Sequence, residues 1–145
     1  MKHFFRLVSL CMVFSVLLSV PAMAVESENQ RSSSYFMSSS VYLHKTSSAQ
    51  FQVWFEVTAV SGMEKLGAST IKVQRSTDKN NWTTVATYKM EDYSNMVKLS
   101  TSYHDDYVTY TYTSGYYYRA YVELYAKNGN GTAYYDTYTS SLDLR

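Results

Sequence analysis

The densest group of side chains that could bind a metal is His104-Asp105-Asp106, one imidazole and two carboxylates in consecutive positions. Calcium takes about six to eight oxygen ligands, usually supplied by a longer acidic loop. Two carboxylates are too few unless the fold brings His44 and Glu91-Asp92 close to them. We therefore interpret the triplet as a solvated turn between strands, with a metal site as the weaker alternative, and we predict no cofactor.

Patterns typical of nucleophilic or carboxylate catalysis are absent from the sequence. Cys11 is the only cysteine, and no serine stands in a Gly-x-Ser-x-Gly elbow. The strand pattern places Glu56 and Glu123 on solvent-facing sides, whereas a glycosidase holds its two carboxylates about 5 to 10 Å apart in a cleft. The sequence therefore predicts a protein that is not an enzyme.

Tyrosine is the most distinctive residue type, because all 16 tyrosines lie after position 34 and five occur in Ser114–Tyr125, SGYYYRAYVELY. Its rigid aromatic ring and hydroxyl suit recognition of a protein or a glycan at low entropic cost. Tyrosine is also favoured in strands for its own sake. A tyrosine-rich sheet face that binds nothing is therefore an equally supported interpretation.

Alternation along this run divides its side chains between two faces of a strand. If Ala120, Val122 and Leu124 face a core, Tyr116 and Tyr118 face it as well. The opposite face and the returning strand then carry the other tyrosines and one arginine, and Trp54 adds an exposed aromatic residue elsewhere. The predicted binding residues are Tyr117, Arg119, Tyr121, Tyr125, Tyr134, Tyr138 and Trp54.

The segment Asn128-Gly129-Asn130-Gly131 predicts a tight hairpin turn, because both Asn-Gly pairs tolerate positive φ angles. We expect the turn to be centred on Asn130-Gly131. A turn centred on Gly129-Asn130 would place Glu123 opposite Asp136, and like charges that face each other are unfavourable. Both registers leave the same residues on the same face.

Further short alternating segments indicate an all-β domain. Gln50–Thr58 alternates so that four apolar side chains face one way, Phe51, Val53, Phe55 and Val57. Val60–Ser69 contains two glycines and is predicted to be a loop, and Ser76–Asn81 is predicted to be a turn stabilised by Asp and Asn side chains. The pattern predicts about seven strands in a sandwich of two antiparallel sheets.

Two segments, IKVQRSTDKNNWTTVATY and SGYYYRAYVELYAKNGNGTA, resemble the C–C′ and F–G hairpins of a fibronectin type III or related immunoglobulin-like domain. In this resemblance Trp82 matches the tryptophan after the polar turn, and Tyr116 or Tyr118 takes the core tyrosine position. The match extends over Phe51–Ser140 and implies a fold, not a function. The chain is also similar to small secreted proteins of Gram-positive bacteria that belong to a domain family of unknown function.

The N-terminal segment has the organisation of a secretory signal peptide. Lys2 and Arg6 precede a 14-residue apolar run, and Pro21–Ala24 supplies small residues for cleavage between Ala24 and Val25. The run is shorter than the roughly 20 residues that a membrane-spanning helix needs. We therefore expect a signal-peptide helix at 1–24, a flexible polar leader at 25–34, one domain at 35–145, and an extracellular product.

Removing Lys2 and Arg6 leaves 11 basic against 12 acidic side chains, without a basic stripe. This balance argues against nucleic acid as a partner. The outward strand faces are hydroxyl-rich and charged and lack an apolar lipid-facing band, which argues against stable membrane insertion of the mature chain. The favoured function is a recognition or adhesion module for an unknown protein or glycan on a cell surface. The alternative is a secreted bacteriocin- or toxin-like protein that acts on a target cell envelope.

Overall fold

The computed structural model describes residues 34–145, which form an all-β antiparallel fold. Its seven strands are β1 (Phe36–Lys45), β2 (Gln50–Ser76), β3 (Thr83–Lys89), β4 (Val97–Thr111), β5 (Tyr117–Asn128), β6 (Gly131–Tyr138) and β7 (Leu142–Asp143). A 3-10 turn at Ser94–Met96 precedes β4. Within these described residues, no helix is long and apolar enough to cross a membrane. The predicted signal peptide, its cleavage site and the leader up to residue 33 lie outside the described residues.

The 27-residue strand β2 organises the sheet, because its two halves have different neighbours. Its first half lies between β1 and β4, and its second half lies between β3 and β5, with β6 and β7 added beyond β5. The sheet curls into a half-barrel. The predicted sandwich of two separate sheets is not confirmed, since the seven strands belong to one hydrogen-bonded sheet.

The core lies on the inner face of this curled sheet. Phe51, Val53, Phe55 and Val57 on the first half of β2 are fully buried, as the alternation predicted. The second half of β2 and strand β5 contribute most of the other fully buried side chains, among them Ile71, Val73, Tyr118, Val122 and Leu124. The prediction that Tyr118 faces the core is confirmed, and Tyr116 packs against it while remaining partly exposed.

The prediction of a loop at Val60–Ser69 is wrong, because β2 continues through the whole segment. The pairing register shifts here, between Thr58 and Met63 against β4 and between Ala68 and Thr70 against β5. Such irregularities bend a strand without ending it. At Gly67 the Met96 carbonyl approaches so closely that a Cβ atom would overlap it. This glycine therefore marks a close backbone approach inside a strand.

The turn between β2 and β3 is held by side-chain hydrogen bonds to its own backbone, as predicted. Asp78 Oδ1 accepts hydrogen bonds from the backbone N–H groups of Asn81 at 2.8 Å and Asn80 at 2.9 Å. Ser76 Oγ accepts from the N–H groups of Asp78 and Lys79. The hydrogen bonds from Asn81, followed by those from Ser76 and Asn80, hold the pKa of Asp78 far below its usual value.

Stability should therefore depend on pH through Asp78. Because its pKa is depressed in the folded state, its contribution is present above the ordinary carboxyl pKa of about 4 and is lost as pH falls toward the lowered value. We expect the midpoint of thermal unfolding to fall as pH is lowered from 5 to 2. Asp78→Asn should weaken this dependence, and an unchanged pH profile in that variant would contradict the assignment.

Candidate functional site

The β5–β6 hairpin sets the geometry of the candidate site. Asn128 pairs with Gly131, so the turn consists of Gly129 and Asn130, and the prediction of a turn centred on Asn130-Gly131 is wrong. Gly129 has a φ of 56°, which the favoured two-residue hairpin turns require at their first central position. The turn geometry therefore decided the register. It places Tyr121 opposite Tyr138 and Tyr125 opposite Tyr134.

This register also places Glu123 opposite Asp136, and each carboxylate has its own hydrogen-bond donor. Ser69 Oγ donates to the Glu123 carboxylate from the neighbouring strand β2. On the other side, the Tyr121 hydroxyl donates to Asp136. Partial burial and this hydrogen bond raise the pKa of Tyr121 above its ordinary value. Separate donors satisfy the two carboxylates, which makes their facing positions tolerable.

Arg119 lies at the centre of the outer face formed by β3, β2, β5 and β6. Its guanidinium carbon lies 4.4 Å from the ring centroid of Trp82 and 4.7 Å from that of Tyr138. Its Nε atom donates a 2.8 Å hydrogen bond to Gln74 Oε1. A guanidinium held against two rings gains cation–π stabilisation and loses conformational freedom. Arg119 is thus fixed in place by contacts within the protein.

Two further contacts extend this group across the sheet. The rings of Tyr121 and Tyr138 lie 5.3 Å apart at an angle of 60°, and Lys72 Nζ lies 5.2 Å from the Tyr121 centroid. Tyr138 is 53% exposed, so one side of the group is open to solvent. We call Lys72, Trp82, Arg119, Tyr121 and Tyr138 the cation–aromatic surface.

The structure brings three of the predicted binding residues together here, Arg119, Tyr121 and Tyr138. Tyr134, 45% exposed, packs its ring 5.5 Å from that of Tyr125 nearer the hairpin turn. Tyr125 itself is only 6% exposed, so the prediction that it forms part of the open face is wrong. Its side of β5 was predicted correctly, but neighbouring side chains, including Tyr134, cover its ring.

Tyr117 is also buried, contrary to the prediction that it is exposed. Lys79 Nζ lies 4.4 Å from its ring centroid and the Arg145 guanidinium lies 4.2 Å from it. Arg145 is held there by a 3.0 Å ion pair with Asp143, at the end of the short strand β7. The C-terminal segment therefore covers this tyrosine, which leaves it 9% exposed.

Trp54 lies on the solvent-facing side of β2, as predicted, but on the other half of the sheet. Its ring lies 6.1 Å from that of Tyr42 on β1, nearly parallel to it, and 4.6 Å from that of Tyr107 on β4. Its indole Nε1 donates to Gln52 Oε1 at 2.9 Å. These three rings form a second aromatic row, separate from the cation–aromatic surface. Only the pairing of β1, β2 and β4 reveals it.

The predicted turn at His104-Asp105-Asp106 is wrong, because the triplet lies within β4. Consecutive side chains of a strand point to opposite faces, so the three cannot converge on one ion. His104 is buried against the edge of Phe55, and its Nε2 lies 2.8 Å from the Asn95 carbonyl oxygen. Over residues 34–145, no three His, Cys, Asp or Glu side chains are grouped as metal ligands.

Lys72 and Trp82 are the residues of the surface that sequence reasoning did not include. Lys72 and Gln74 are two residues apart, so both lie on the outward side of β2. Only the pairing of β2 with β5 shows that Lys72 lies opposite Tyr121. Trp82 precedes β3, and its Nε1 donates to the Lys79 carbonyl at 2.9 Å, which positions its ring beside Arg119. No protein-family model matches this chain, and no match to it is found among curated proteins.

Proposed function

We propose that this protein is a secreted, non-catalytic recognition module that binds a protein or glycan on a cell surface through the cation–aromatic surface. The observation that carries the proposal is the guanidinium of Arg119, which is held against the rings of Trp82 and Tyr138. Trp, Tyr and Arg are the residue types enriched at the energetic centres of binding interfaces.

Preorganisation supports a binding role for this surface. Arg119 is held by Gln74 and by two rings, and Tyr121 is held by Asp136. Side chains already ordered in the free protein lose little entropy when a partner binds. Tyr138, whose ring is half exposed, supplies apolar area and a hydroxyl where a partner would make contact.

The proposal includes an immunoglobulin-like, fibronectin type III-like arrangement of the strands. In such a domain, one sheet has the strand order A-B-E and the other has the order C′-C-F-G. The orders β1-β2-β4 and β3-β2-β5-β6 match these two if the first half of β2 is strand B and its second half is strand C. Further support comes from Tyr118, whose hydroxyl donates to the carbonyl of Thr113, five residues upstream, at 2.8 Å. A buried tyrosine bonded to the preceding connection is typical of such domains.

Tyr138→Ser tests the proposed function. Because Tyr138 is 53% exposed, we expect the fold to remain stable while affinity for the partner falls by about tenfold or more. The partner would first be sought on arrays of glycans and of cell-surface proteins, and dissociation constants would then be measured for both forms. Tyr42→Ser is the matched control, since Tyr42 is 46% exposed on β1, away from the surface.

The outcomes separate the interpretations. Binding that is lost with Tyr138→Ser and kept with Tyr42→Ser supports the cation–aromatic surface, and the array that responds identifies the class of partner. Arrays that stay silent for the wild-type protein would count against a recognition role. Loss of binding only with Tyr42→Ser would place the contact on the row of Tyr42, Trp54 and Tyr107 instead.

A further inference from the structure

Strand β6 has the most regular free edge of the sheet. It pairs with β5 in an unbroken register and, among the described residues, with no second strand. Apart from the two-residue β7, the other edge strands are β1, β3 and β4. Each has an irregular register and one lysine, Lys45, Lys89 and Lys98 respectively. Bulges and lysines are the features with which natural sheets prevent edge-to-edge pairing. Strand β6, GTAYYDTY, has neither, and it has no proline.

The backbone of β6 presents alternate residues at this edge. Just beyond the strand, the Thr139 N–H donates to the Ala120 carbonyl at 3.0 Å, so the odd-numbered residues direct their backbone groups toward β5. The even-numbered residues therefore direct N–H and C=O outward. These are Thr132, Tyr134, Asp136 and Tyr138. An antiparallel strand of the same length can pair with all four.

We propose that β6 pairs edge to edge with β6 of a second copy of this chain, antiparallel and about a two-fold axis at Tyr135. In this register Tyr134 lies opposite the partner's Asp136, so a hydroxyl donor meets a carboxylate. A register centred on Asp136 would instead set two carboxylates face to face, which is unfavourable. The proposed pairing also covers the ring of Tyr135, which is 44% exposed in the single chain.

The overall charge does not oppose this association, because the full chain carries a formal net charge of only +1. Pairing would make one continuous sheet and bring two cation–aromatic surfaces side by side. A dimer would then engage clustered ligands more tightly than one chain can. The pairing itself rests on the edge of β6 and does not depend on the proposed function.

Tyr135→Lys tests the pairing, because it places two ammonium groups opposite each other only in the dimer. We expect the wild-type protein, expressed from the full-length sequence, to show a concentration-dependent dimer in sedimentation velocity below about 1 mM. Tyr135→Lys should weaken the dimer at least about tenfold. The matched control is Tyr103→Lys, at a tyrosine 41% exposed on β4, which should leave the dimer unchanged.

Amide hydrogen exchange locates the contact. Protection of the Tyr134 and Asp136 amides should increase with protein concentration, whereas the Tyr135 amide, directed toward β5, should be protected at every concentration. A wild-type protein that stays monomeric to about 1 mM would overturn the proposal. A dimer that persists in Tyr135→Lys would also overturn the proposal, including a dimer formed through the apolar N-terminal segment. Amide exchange at Tyr134 and Asp136 that does not depend on protein concentration would overturn it as well.

Discussion

Replacing Tyr118 with alanine is expected to lower the free energy of unfolding by about 3–5 kcal/mol, the range for removing a fully buried aromatic ring. Tyr118 has no exposed surface, and its ring lies 5.4 Å from that of Phe51 and 6.0 Å from those of Tyr110 and Tyr112. Truncation would leave a cavity where the start of β5 packs on the first half of β2. Urea unfolding followed by tryptophan fluorescence measures the loss.

Tyr118→Phe isolates the hydroxyl group. That hydroxyl donates to the Thr113 carbonyl at 2.8 Å and accepts from the Thr113 N–H at 3.2 Å. Removing it leaves both backbone groups without this partner, at a cost of about 1–3 kcal/mol. Tyr42→Phe, at a ring 46% exposed, is the control and should change stability by less than about 0.5 kcal/mol. A Tyr118→Phe variant as stable as the wild type would refute the role of this hydrogen bond.

Replacing Gly67 with alanine is expected to destabilise the protein by about 3 kcal/mol or more, because the added methyl group meets backbone where the 3-10 turn leads into β4. A Cβ atom at Gly67 would overlap the Met96 carbonyl oxygen and would lie 2.9 Å from Val97 Cα. Backbone atoms cannot rotate away as a flexible side chain can. The bend of β2 would therefore have to open, separating it from the start of β4.

Gly62→Ala is the matched control, because it makes the same substitution in the same strand. A Cβ atom at Gly62 would have no neighbour within 4 Å, and the residue is exposed. Alanine there should be neutral, or stabilising by up to about 1 kcal/mol through a less flexible unfolded chain. Equal effects of the two substitutions on the urea midpoint would show that close approach at Gly67 is not the cause.

The candidate site was predictable where it depends on one strand alone. Alternation within β5 correctly placed Arg119 and Tyr121 on its outer side and Tyr118 on its inner side. Exposure was not predictable in the same way, because it depends on distant residues. Arg145 covers Tyr117 from the C-terminal segment, and Tyr134 packs on Tyr125 from the next strand.

The loop predicted at Val60–Ser69 shows a second kind of error. Glycines usually indicate turns. The sequence alone does not distinguish a glycine in a turn from a glycine in a strand against which another backbone segment packs closely. At Gly67 the close backbone is that of Met96, 29 positions later in the chain. The same limit applies to Trp82, which becomes part of the surface only because β3 and β5 flank the second half of β2.

By itself, the sequence of this protein determined the all-β class and, for β5 and the first half of β2, the side of the strand on which the residues lie, because a side-chain period of two is a local property of the extended backbone. The tertiary structure alone decided which of those residues meet. Continuation of β2 through its bend, the turn at Gly129-Asn130 and the cover provided by the C-terminal segment all depend on contacts between distant parts of the chain. Those contacts assemble Lys72, Trp82, Arg119, Tyr121 and Tyr138 into one surface and, within residues 34–145, leave the regular edge of β6 without a second strand.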